Sequence, residues 1–179
     1  LALAAAGIPA AATESKTGTS PHSADAVRIR ILSSNLASAR TLGEWGLAAF
    51  VQVDGRCILF DTGRNPETVI TNAAALGVDL SCVTDVVLSH FHFDHTTGLM
   101  PLLRDLRPRN PDAIRRVHVA KGFFLPRRLP DGTQWNQMID LRTDFEAEGA
   151  EFIVHDGPTE IAPGVWVTGP VPRPHPEKN

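Results

Sequence analysis

The chain has 179 residues, enough for one sizeable core, and its 42% hydrophobic and 21% charged residues are ordinary for a globular domain. A formal net charge of −3 leaves no basic excess, which argues against nucleic-acid binding and against attachment to an anionic membrane surface.

The opening, LALAAAGIPAAATES, is apolar and Ala-rich before it turns polar. It reads as the apolar part of an export signal, with Ala10-Ala11-Ala12 able to supply the small-residue cleavage pattern and no charged segment before it. Residues 1–12 are therefore expected to be a signal-peptide remnant and the protein to be exported, periplasmic or secreted. The apolar part is too short to span a bilayer. Residues 13–25, rich in Ser, Thr and Pro, read as a linker, and residues 26–179 as one domain.

Val27 to Leu32 alternates apolar and polar with period two, a strand with one buried face. Leu47 to Val53 and Cys57 to Phe60 flank Asp54-Gly55, the strongest short hairpin signal, with Asp61-Thr62-Gly63 at the outgoing end. NPETVITNAAALG predicts a helix with Asn65 as N-cap, Pro66 at its first position and Gly77 as its stop. Val83 to Leu88 is a short β-branched strand that delivers a His-rich loop. A helix from near Gly98 to Pro108 follows, provided Pro101 falls in its first turn.

Val117 to Ala120, Phe152 to His155 and Val165 to Thr168 read as further strands, whereas 122–145 is mixed in character. This succession predicts an α/β layered architecture. The Pro-rich end, TGPVPRPHPEKN, leads us to expect a fold that is C-terminally incomplete. The two cysteines, Cys57 and Cys82, suit no metal site and read as buried free thiols that could pair in an oxidising compartment.

The chemistry concentrates in LSHFHFDHTTG, where His90, His92, Asp94 and His95 fall within six positions at the end of a strand. Imidazole and carboxylate are the donors that suit zinc, with iron or manganese as alternatives. Adjacent Asp94 and His95 cannot easily face the same centre as both His90 and His92, so two metals close together are expected. The basic stretches RPRNPDAIRR and RRLPDG read as solvated loop charge, though they could receive an anionic substrate. Phe91, Phe93, Phe123, Phe124 and Trp135 divide between core and an apolar pocket, and Trp45 reads as packing.

HFHFDH resembles the H-x-H-x-D-H signature of the metallo-β-lactamase superfamily, and LFDTG resembles its Asp-Thr-Gly turn. The similarity runs from about Val27 to the end and implies the αβ/βα four-layer sandwich of that family. It also implies that His90 and His92 bind one metal and Asp94 and His95 a second, with Asp61 behind them orienting a ligand or touching the second metal. The implied activity is hydrolysis of a small molecule, an ester, lactone, amide or phosphoester, by water activated at two zinc ions, with Asp94 able to take a proton.

GEWGLAAFVQVDGRCILFDTG, NAAALGVDLSCVTDVVLSHFHFDHTTGL and GVWVTGPVPR resemble the branch containing the dihydropterin ribofuranosyl-aminobenzene-phosphate synthases. A pterin-related transferase is therefore the alternative activity, and a truncated, non-catalytic metal-binding domain a third reading. That branch often carries Gly then Tyr inside the motif, where this chain has Phe91 and Phe93, which keep the ligands and change the wall of the site. The superfamily completes its ligand set from downstream segments that find no match here. His118 and His155 read as core or edge residues of strands, and His175 as a turn or substrate-side residue.

Overall fold

The structure is a computed structural model that describes residues 22–172. The expected signal remnant, residues 13–21 of the linker, and His175 lie outside the described residues.

A six-stranded sheet has the order β1 (Val27–Ser33), β2 (Ala48–Val53), β3 (Arg56–Phe60), β4 (Val83–Val87), β5 (Arg116–Ala120), β6 (Glu151–His155). The first three strands pair antiparallel and β3 through β6 pair parallel. Asp54 and Gly55, both at positive φ, make the β2–β3 turn, as that dipeptide predicts.

The register aligns Phe50, Leu59, Val86, Val117 and Phe152 across one face, all buried. Helices α1 (Thr68–Ala75), α3 (Leu99–Leu106) and α4 (Met138–Ala147) close that face. In α3, Leu99, Leu102, Leu103 and Leu106 follow the i, i+3, i+4, i+7 spacing and all are buried, while Pro101 sits in the first turn where its missing N–H costs nothing. Burying each such side chain contributes about 1.5–3 kcal/mol. Asn72 of α1 is buried and holds the 32–42 segment through the carbonyls of Leu32 and Leu42 and the N–H of Leu42.

On the opposite face a hairpin, β7 (Thr159–Ala162) and β8 (Val165–Val167), covers Val51, Ile58, Phe60 and Val87 and encloses an apolar cavity of about 370 Å³. Beside it Val27, Ile29 and Ile31 of β1 stay more than half exposed, which corrects the buried face expected from their alternation: no element of the described residues covers that side of the edge strand. Helices, six-stranded sheet and hairpin are thus the layers that the described residues form. A second large sheet with its own helices is not among them.

Three further expectations need correction. Cys57 and Cys82 are not free thiols but a disulfide, with Cα atoms 5.6 Å apart. Parallel pairing sets Cys57 opposite Val83, so Cys82 is its neighbour, a proximity created by a register that the separate strands do not encode. Helix α1 starts at Thr68 rather than Pro66, because the Glu44 carboxylate holds the Asn65 N–H at 2.8 Å and keeps the chain there in a turn. The segment read as mixed contains α4, whose buried side chains, Met138 and Phe145, are too few to give a helical period.

Candidate metal centre

Three loops meet at the ends of β1, β3 and β4. The loop after β4 carries His90 and His92 and turns at once into α2 (Phe93–Thr96), a single turn bearing Asp94 and His95. The 61–65 segment follows β3, and the 44–47 segment precedes β2.

Their fit is close at backbone level. The carbonyl of His95 accepts from both the N–H and the Oγ1 of Thr62, at 2.8 and 2.9 Å. The carbonyl of Asp94 accepts from the N–H of Leu47. A Cβ at Gly98 would lie 1.9 Å from the Thr62 carbonyl oxygen, so only glycine lets α2 and α3 approach this turn.

His90, His92 and His95 converge, with ring centroids 4.4 Å apart for His90 and His92 and 4.2 Å for His90 and His95. The Asp94 Oδ2 lies 3.5 Å from the Nε2 of His95. Asp61, fully buried and at positive φ, lies behind them.

The hydrogen bonds around Asp61 fix the imidazole tautomers. As acceptor only, it receives the Nδ1–H of His95 at 2.7 Å, the Ser89 hydroxyl at 2.7 Å and the Ser89 N–H at 2.8 Å. With its one proton given to Asp61, the Ser89 hydroxyl must accept from the Nδ1–H of His90, 2.9 Å away. In the neutral ring, both His90 and His95 are thereby left with a bare Nε2 lone pair. Asp61 also raises the pKa of His95 above the ordinary histidine value, against the effect of burial. Burial, helped by His95 and His92, lowers that of His90.

The donors fit a divalent metal in kind. Among the described residues, no group of three or more His, Cys, Asp and Glu side chains is arranged to hold an ion.

Four residues support the cluster in roles that the sequence does not announce. Ser89 had only its place before the His-rich loop to mark it. Glu44, nearly buried, accepts from the Ser33 hydroxyl at 2.6 Å, the Arg64 N–H at 3.0 Å and the Asn65 N–H at 2.8 Å, and so ties the 44–47 loop to the Asp-Thr-Gly turn. Burial would raise its pKa, but these hydrogen bonds bring it below the usual carboxylate value. Trp45 is exposed rather than packed, and its Nε1–H donates to the Asp94 Oδ2 at 3.0 Å. Asn136, fully buried, holds the carbonyls of Phe123 and Leu125 and shapes the loop that brings Trp135 over His92.

His118 and His155 stay apart from the cluster. They bond to each other at 2.9 Å, and His118 bonds to Asp85, itself in a two-point ion pair with Arg116. Within RPRNPDAIRR, Arg115 pairs with Asp112 and Arg109 with Asp105.

Residues 46–173 match the metallo-beta-lactamase superfamily profile, and the chain belongs to that superfamily. It is 26% identical over 155 residues to the 7,8-dihydropterin-6-methyl-4-(beta-D-ribofuranosyl)-aminobenzene-5'-phosphate synthase of Methanocaldococcus jannaschii, a match covering 82% of this chain and 51% of that protein. An uncharacterised protein of the same organism is 27% identical over 146 residues, covering 81% and 54%. The chain thus spans about half the length of the curated relatives it matches.

Among solved structures, Tm1679, a metal-dependent hydrolase of the β-lactamase superfamily, aligns with a TM-score of 0.56 at 26% identity over 81% of this chain and 48% of that one. A metallo-β-lactamase-type protein of Thermotoga maritima aligns with a TM-score of 0.51 at 16% identity, over 77% and 63%, a likeness of fold alone.

Proposed function

We propose that this protein is a metal-dependent hydrolase that acts on an ester, lactone, amide or phosphoester bond of a small molecule. The reading is carried by one observation: Asp61 sets the proton positions of His90 and His95 so that both present unprotonated Nε2 atoms beside His92 and Asp94. His90 and His92 would hold one ion and Asp94 and His95 the other, zinc by donor type, with iron or manganese as alternatives. When bound, such a pair of ions supplies the acidity that makes water a nucleophile at neutral pH and polarises the bond under attack. Asp94 would accept a proton, a role supported by the Trp45 indole N–H, which donates to its Oδ2. Asp61 keeps the His95 ring in one tautomer throughout. The Cys57–Cys82 disulfide supports an exported, oxidising location.

The likeness to the dihydropterin-related synthase favours a second reading, a transferase built on the same residues. Assay of zinc-loaded protein and its Asp94→Asn variant against lactone, ester, amide and phosphoester panels separates the two. Turnover of at least one panel substrate, reduced about 100-fold or more in the variant, is expected. Protein inert to every panel and active only on pterin substrates would establish the transferase instead.

A further inference from the structure

Beside His92 lies a cavity of about 330 Å³, in the size range of a small-molecule pocket, that the metal-centred reading leaves unused. Phe91 and Trp135 form its inner corner, and Met100 of α3 with Met138, Leu141 and Phe145 of α4 form its walls. The Trp135 ring lies 4.7 Å from that of His92, and Phe91 stands edge-on to Trp135 at 5.6 Å and 90°. Any group seated there is therefore carried against a candidate metal donor.

The corner is preorganised from behind. Asn136 is fully buried and bonds the carbonyls of Phe123 and Leu125, the Gln134 side chain accepts from the N–H groups of Arg127 and Asn136, and the Trp135 N–H donates to the Arg127 carbonyl. Trp135 is nevertheless 43% exposed, so a large aromatic surface is held rigid and left uncovered. Rings at right angles offer an incoming ring both stacked and edge-to-face contact, and thioethers favour aromatic neighbours.

Charge at the rim selects against an anionic ligand. Arg104 is paired with Glu148, and the Asp144 carboxylate stands at the same rim, so no unmatched positive charge draws an anion in.

We propose that this cavity recognises an aromatic ring of the substrate that carries no negative charge, and so makes aryl-bearing small molecules the preferred class. The proposal rests on the hydrolase reading for the adjacent centre, but its test does not use turnover. Binding of 2-naphthol and of its saturated, shape-matched counterpart decahydro-2-naphthol to the full chain is measured by calorimetry. The three indole N–H signals, assigned by single Trp→Phe variants, are followed by NMR.

2-Naphthol is expected to bind about three- to tenfold more tightly than the saturated alcohol, the range that aromatic contacts add beyond area burial. Its saturable shift is expected at Trp135. Trp135→Leu should abolish the preference, and Trp166→Leu, on the other face of the sheet, should leave it intact; the wild-type NMR shifts decide the matter if Trp135→Leu fails to fold. Equal affinity for the two alcohols, no saturable binding, or a shift at Trp166 instead of Trp135 would overturn the proposal. Since binding is read directly, a failure here is distinguishable from a failure of the hydrolase reading.

Discussion

Asp61 makes three hydrogen bonds from full burial, and each decides something about a neighbouring donor. Asp61→Asn keeps the shape but can no longer serve as a charged acceptor for His95 and Ser89 together. Zinc affinity is expected to fall about 10- to 100-fold, the usual effect of removing a ligand's supporting partner, as measured by competition with a chromophoric chelator. Ser89→Ala is a milder change, since it frees the Nδ1 of His90 without touching His95; ¹⁵N NMR of the imidazoles should show His90 losing its single tautomer while His95 keeps its own. An unchanged His90 spectrum would contradict the relay through Ser89. Trp45 shows how little a local motif reveals about partners: its role comes from Asp94, 49 positions away.

At the scale of elements, much was legible wherever the signal is local. The Asp-Gly hairpin and the leucine stripe of α3 follow directly from residue spacing, because turn chemistry and helical periodicity act within a few residues. Leu102→Ala in that stripe is expected to cost about 2–5 kcal/mol in chemical denaturation, as a cavity in a closely packed site. The same locality made His90, His92, Asp94 and His95 readable as one cluster.

What stayed hidden depends on long-range register. The disulfide requires β3 and β4 to lie side by side, although α1 separates them in sequence. The Glu44 brace requires β1, the 44–47 loop and the Asp-Thr-Gly turn to meet. α4 went unread because Met138 and Phe145, its buried residues, lie seven apart and leave most of its surface polar. The disulfide spans a separation of 25 residues, and its reduction is expected to remove about 3 kcal/mol of stability, read as the shift of the denaturation midpoint with and without reductant. An unshifted midpoint would show that the bridge does not limit the unfolded chain.

Across the whole molecule, the two faces of the sheet differ. One is sealed by helices. The other carries exposed Val27, Ile29 and Ile31, the β7–β8 hairpin and a buried polar network of Asp85, His118 and His155 closed by Arg116. Burial alone would raise the Asp85 carboxyl, but the hydrogen bonds of His118 and Arg116 outweigh it and hold the group well below the usual carboxylate range. A depressed carboxyl stabilises the fold fully above its unfolded value of about 4 and loses that contribution as pH falls below it. Asp85→Asn is therefore expected to cost about 1–3 kcal/mol at pH 7, with the gap to wild type closing below about pH 4. A gap constant from pH 7 to pH 3 would deny the network its ionic character.

The chemistry of this protein depends on whether the strand-end cluster binds metal in two pairs. Calorimetric titration of zinc into the metal-free full chain, into the His90→Ala/His92→Ala variant and into the Asp94→Ala/His95→Ala variant tests this most directly. Two equivalents are expected in the wild type and one fewer in each variant. No saturable binding to the wild type, or the same stoichiometry in all three proteins, would contradict it.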